Sequence, residues 1–79
     1  MTLRIISAQE IIYTGTVRSV TLPGTMGAFT VLHNHASLIA TLSAGSIRYV
    51  DADGNEQTTE PLPGGIADID NNVISVCIY

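Results

Sequence analysis

Seventy-nine residues make a single domain with little core to spare. The net charge of −4 sets seven acids against three scattered arginines, Arg4, Arg18 and Arg48, which is no basic patch for a phosphate backbone and argues against a nucleic-acid partner. The lone cysteine, Cys77, excludes an internal disulfide, and no apolar run approaches the ~20 residues of a spanning helix, so direct membrane insertion is not expected.

In chain order, Met1 to Ser7 reads as a first strand, with Leu3 and Ile5 on one face. Ala8, Gln9 and Glu10 form a bend. Ile11 to Thr14 is a second short strand, ended by Gly15. Val17 to Leu22 is a third, whose alternation slips because Val17 faces away from Val20 and Leu22. A β-bulge or two-sided burial explains the slip. Pro23-Gly24-Thr25-Met26-Gly27 is turn chemistry: proline pre-sets φ and glycine accepts positive φ. Two apolar runs follow, Ala28 to Leu32 and Leu38 to Leu42, separated by the loop His33 to Ser37. Phe29, Val31, Ile39 and Thr41 suit strands.

Ser43-Ala44-Gly45 then turns the chain into a strand over Ser46 to Val50, and Asp53-Gly54 marks a hairpin. Glu56 to Leu62 is polar and strand-like, and Pro61 confines it to an edge. Pro63-Gly64-Gly65 is a second corner. Ile66 to Ile69, a turn at Asp70-Asn71-Asn72, and Val73 to Tyr79 close the chain. Ile74, Val76 and Ile78 share a face. The regular turns and the lack of helical period specify an all-β small β-sandwich of about ten short strands, occupying residues 1–79 as one domain. The expected core is Val20, Leu22, Phe29, Val31, Leu38, Ile47, Ile66, Ile74, Val76 and Ile78.

Charge is distributed unevenly. From Ser19 to Ile47, 29 residues, there is no Asp, Glu, Lys or Arg. Either these strands are buried on both faces or part of their surface meets a partner, since interface cores are depleted in charge. Six of the seven acids lie between Asp51 and Asp70, which implies one acidic, solvated face or end and another that is apolar and nearly neutral.

Few residues offer chemistry. Two residues apart on a strand, His33 and His35 would point the same way and could share a metal, but further ligands would have to come from a distant aspartate. They are more simply polar loop residues. Asp51, Asp53 and Asn55 invite a calcium reading, but Glu56 and Leu62 stand where an EF-hand loop needs glycine and glutamate. The glycines of the Pro23–Gly27 turn lack the Gly-Lys-Ser/Thr and the helix of a phosphate loop. Cys77, with no cation near it in sequence, reads as a partly covered thiol in the last strand. No cofactor is implied.

The run Gly27-x-Phe29-Thr30-Val31-Leu32, then His35-Ala36-x-Leu38-Ile39, then Leu42 and Gly45, resembles the epsilon subunit of the rotary ATP synthase, within its N-terminal β-sandwich domain. Leu3-x-Ile5-Ile6-Ser7, Gly15, Val20-x-Leu22-Pro23-Gly24 and Gly64-Gly65-Ile66 extend the likeness over essentially the whole chain. Two departures stand out: the family usually has proline at the positions of His33 and Ser37, and often an acid at that of Ala28.

The resemblance implies a non-catalytic central-stalk subunit that packs against gamma, rests on the polar loops of the c-ring and couples ion flow to ATP synthesis. It implies a peripheral place on the cytoplasmic side of the bacterial inner (plasma) membrane. Carried over by position, Thr25, Met26, Gly27 and Ala28 correspond to the c-ring contact. His35, Ser37, Leu38 and Thr41 correspond to the gamma contact. The alternative from the residues alone is a small metal-dependent β-barrel enzyme using His33 and His35. Many family members continue into a helical hairpin that can inhibit hydrolysis and sometimes binds ATP. With the last strand ending at Tyr79, neither property is expected of this chain.

Overall fold

The computed structural model describes residues 1–79 as eight strands without a helix. In chain order they are β1 (Thr2–Ile6), β2 (Ile11–Leu22), β3 (Phe29–Leu32), β4 (Leu38–Leu42), β5 (Arg48–Asp51), β6 (Glu56–Thr58), β7 (Gly65–Asp70) and β8 (Val73–Ile78). Expectation and structure differ in number chiefly at Gly15. It does not end a strand. It pairs with Leu3 inside β2, so the two short strands foreseen on either side are one strand of twelve residues.

That long strand builds the sandwich. The Ile11–Thr16 half of β2 pairs with β1, in a layer ordered β4-β7-β8-β1-β2. The other half is flanked by β3 and β5, with β6 beyond β5 at the edge. Val17 stands opposite Asp51 and Ser19 opposite Val50, so Arg18 is the extra residue of a bulge. The bulge resolves the slipped alternation: Val17, Val20 and Leu22 are all buried. β1 and β8 run parallel, while the other strand pairs are antiparallel.

Twelve apolar residues form one core: Leu3, Ile5, Val17, Val20, Leu22, Val31, Leu42, Ile47, Ala67, Ile69, Ile74 and Val76. Six of the ten expected core residues are among them. Phe29 and Ile78 pack against this core while remaining partly exposed. Leu38 and Ile66 do not belong to it, being 39% and 45% exposed. For Ile66 the reason is phase: β7 buries Gly65, Ala67 and Ile69 and turns Ile66 outward. For Leu38 the reason is position, because its strand lies at the end of the layer. Cys77, expected to be partly covered, is exposed. It is paired with Ile66 and shares its outward phase.

One turn and one strand glycine show how local sequence suits the pairing. Asn71 and Asn72 both adopt left-handed backbone conformations, φ 49° and 60°, between the paired residues Asp70 and Val73. A two-residue loop of this hand matches the twist of the flanking strands, and asparagine tolerates it better than most residues. Gly65 has no room for a side chain, since a Cβ there would run into the Cys77 carbonyl oxygen and lie 2.8 Å from the Ile78 Cα.

Candidate protein-interaction surface

The charge-free stretch is not buried on both faces. β4 has only Leu42 fully inside. Ile39 is 71% exposed and Met26 fully exposed, and Leu38 and Ile66 are half out of the core. Cross-strand pairing sets Thr41 beside Ile66, and Ile66 beside Cys77. The outer face of β4 and β7 thus carries a short apolar strip, Ile39 and Ile66, interleaved with Thr41 and Asp68.

The turn after β2 is fastened to this strip. Gly27, with φ 126°, donates its N–H to the Gly24 carbonyl at 3.0 Å and closes the turn. Thr25 donates its N–H to the Thr41 carbonyl at 3.0 Å, and the two threonine hydroxyls meet at 2.7 Å. Ser43 donates to the Pro23 carbonyl at 2.8 Å. Between the turn and β4 lies a groove of about 340 Å³ lined by Met26, Phe29, Leu38 and Ile39 among others. Thr25, Met26 and Gly27 therefore adjoin Leu38 and Thr41, two of the residues expected at a different contact. These members of the two sets share one surface, and Ala28 is exposed next to Gly27 in the chain.

His35 and Ser37 sit at the other end of β4. The loop carrying them lacks the stiffening prolines and is held by hydrogen bonds to the β7–β8 turn instead. The Asn34 N–H donates to Asn72 Oδ1 at 2.6 Å, Asn72 Nδ2 donates to Asn34 Oδ1 at 3.1 Å, and Ser37 Oγ donates to Asp70 Oδ1 at 2.6 Å. Asn34, at φ 62°, is itself left-handed. His35 Nδ1 donates to the Ala36 carbonyl at 2.7 Å, which a carbonyl acceptor requires of a protonated Nδ1.

His33 and His35 stand in this loop and not on a strand, so the shared direction expected of them has no basis in a pleat. His33 borders a separate hollow with Met1, Thr16 and Arg18. No three His, Cys, Asp or Glu side chains come together as a metal site would need. The Asp51 carboxylate serves its own hairpin: Oδ1 accepts the N–H groups of Asn55 at 2.9 Å and Asp53 at 3.0 Å. The Asn55 bond is the leading cause holding its carboxyl below the usual range; partial burial opposes it, and Gln57, the Asp53 N–H and nearby Arg18 assist it.

The acids do not gather on one face. Asp51, Asp53 and Glu56 belong to the β5–β6 hairpin, whereas Asp68 stands directly opposite Ile39, beside the apolar strip. Sequence reasoning also missed Ile39 and Ile66 as surface groups. A signal was available for Ile39, since it alternates with Leu38 and Leu42 and must face the other way.

The molecule is an all-β sandwich that leaves large apolar side chains exposed on β4, on β7 and in the turn after β2, a surface of the kind that protein partners cover. The family model described as the ATP synthase Delta/Epsilon chain, beta-sandwich domain, matches residues 1–78, and the chain belongs to that family. It is similar to the ATP synthase epsilon chain of Campylobacter jejuni subsp. doylei, 42% identical over 96% of this chain and 58% of the relative. To the epsilon chain of a Synechococcus strain it is 36% identical, over 99% of this chain and 56% of the relative. It thus spans little more than half the length of these relatives.

Among solved structures, a chain of the Euglena gracilis mitochondrial ATP synthase (OSCP/F1/c-ring) superposes with a TM-score of 0.84 at 20% identity, over 96% of this chain and 48% of that one. A chain of the Tetrahymena thermophila mitochondrial ATP synthase central stalk and c-ring gives 0.80 at 8% identity, over 100% and 63%. At such identities the likeness is one of fold.

Proposed function

We propose that residues 1–79 act as one sandwich domain of a non-catalytic rotor subunit of the bacterial ATP synthase. The domain docks on gamma through His35, Ser37, Leu38 and Thr41, and on the polar loops of the c-ring through Thr25, Met26, Gly27 and Ala28. It links the two and couples ion translocation to ATP synthesis, as a peripheral subunit on the cytoplasmic side of the inner membrane. Family membership over residues 1–78 supports this reading. The observation that carries it to particular residues is the exposed, charge-free surface shared by the Pro23–Ala28 turn and β4.

The reading fits a surface that does no bond chemistry. Apart from His35, its side chains are apolar groups and hydroxyls, and the hydroxyls of Thr25 and Thr41 are occupied with each other. Such a surface transmits torque by staying rigid and desolvated against its partner. Ala28 leaves room where a larger side chain would hold a flat partner away.

Assembled into a bacterial synthase lacking its own epsilon chain, this protein is expected to restore ATP-driven ion pumping in vesicles. Ala28→Trp is expected to lower pumping while hydrolysis by the soluble catalytic head stays level. Failure of the unaltered protein to restore pumping overturns the rotor reading. Restoration that is insensitive to Ala28→Trp removes the ring contact from it.

A further inference from the structure

β4 is an edge strand with half of its free edge open. On its inner side it pairs with β7 without a register shift from Leu38 to Leu42. On its outer side Thr41 gives its carbonyl to Thr25, and Ser43 gives its N–H to Pro23. Backbone groups alternate in direction along an antiparallel strand, so the N–H and C=O of Ile39 point the same way as those of Thr41. The turn that covers Thr41 and Ser43 does not continue past them. The Ile39 groups therefore face the groove between β4 and the turn.

Edge strands are normally guarded by a charge, a proline, a bulge or a covering loop. β4 carries no charge or proline, and its register with β7 is regular. The protein does guard its other end: β6 runs into Pro61, and Arg48 of β5 pairs with Glu56 of β6 at 3.7 Å. That is the only ion pair in the molecule, so Asp68 and Asp70 beside β4 have no cationic partner.

We infer that β4 receives a short extended segment of the gamma subunit as an added strand, its backbone pairing with Ile39, an apolar side chain entering the groove beside Phe29 and Leu38, and a lysine or arginine reaching Asp68 or Asp70. This rests on the rotor-subunit reading and specifies how the contact is made. Main-chain bonds fix the register of such an addition and the pocket selects the side chain. The groove, at about 340 Å³, has space for a large apolar side chain. A basic residue follows from charge complementarity, as the acids lie on the outer face one strand in from the edge. A second copy of this chain suits that place less well, because β4 and its flanks carry no lysine or arginine to meet Asp68 or Asp70.

Hydrogen exchange of the full chain, free and mixed with its cognate gamma subunit, tests the inference. The Ile39 amide is expected to exchange freely alone and to become protected in the complex. Ile39→Pro removes that N–H where the ring faces the open edge, which an edge strand tolerates; it is expected to weaken gamma binding about tenfold. Ile39→Thr keeps the N–H and β-branching and is expected to bind more nearly as the parent. Gamma binding with an Ile39 amide that stays exposed overturns the strand addition and leaves the rotor reading standing, whether or not the proline variant folds. No gamma binding by the parent overturns both. A dimer of the chain alone with Ile39 protected assigns the edge to a second copy and overturns the inference.

Discussion

β7 and β4 lie side by side, paired over five residues, yet they treat their side chains differently. β7, with the sequence Gly-Ile-Ala-Asp-Ile-Asp, buries every second residue. β4, Leu-Ile-Ala-Thr-Leu, is the more apolar of the two and buries only its last. β7 has a neighbour on each side, β4 and β8, whereas β4 has one. Apolar composition earns burial only where the topology supplies a cover. An apolar strand without one is left as surface, as Ile39 is.

The largest expected effect is on stability. Ile74→Ala, deep in the core on β8, is expected to cost about 2–5 kcal/mol in urea unfolding. Ile39→Ala, on exposed β4, is expected to stay within about 0.5 kcal/mol of the parent. Equal losses at the two positions would erase the contrast between covered and uncovered strands.

Leu38 sharpens the contrast because it faces inward at an open edge. Leu38→Ala is expected to cost about 1–2 kcal/mol, below the core value, since part of that side chain is already in water. A loss as large as at Ile74 would mean that the groove closes over it in solution.

The smallest effect lies at the opposite end of the molecule. Hydrogen bonding from the Asn55 N–H, with the lesser contributions above, depresses the Asp51 carboxyl in the folded state. Its contribution is therefore fully present above the unfolded carboxylate value of about 3.9 and is lost as pH falls through the lower folded value. Asp51→Asn is expected to flatten that acid limb of the stability curve and to leave gamma binding unchanged. An acid limb identical to the parent's would show that the hairpin bonds do not hold the charge.

Much of the fold was legible in the sequence. The period-2 patterns of β1, β7 and β8, and turn residues such as Asn71 and Asn72, are local and mark their elements directly. Gly15 misled because a glycine inside a paired strand looks the same as one that ends it; only the partner Leu3 distinguishes them. Expected number and core suffered most where burial depends on the order of strands in the layer, which no window of sequence contains. Leu38 is the case; Ile66 is turned outward by the phase of β7.

The candidate surface was visible as the silence in charge between Ser19 and Ile47. Its outline was not. Joining Thr25 to Thr41, and Asn34 to Asn72, requires contacts across 16 and 38 residues. The placement of Asp68 next to Ile39 depends on the β4–β7 register, so acids that seemed to mark a separate face lie at the margin of the apolar strip.

The central claim is that the exposed side of β4 is a desolvated contact with gamma. Thr41 tests it most directly, being exposed and paired only with the Thr25 hydroxyl through its side chain. Titration of gamma with the parent and with Thr41→Arg, alongside thermal melting of both proteins, separates contact from fold. The account predicts closely similar melting and a loss of affinity of at least about tenfold, because the guanidinium would either be buried unpaired or occupy the Asp68 carboxylate that a cation of gamma would otherwise reach. Parent-like affinity in a folded Thr41→Arg protein would contradict it.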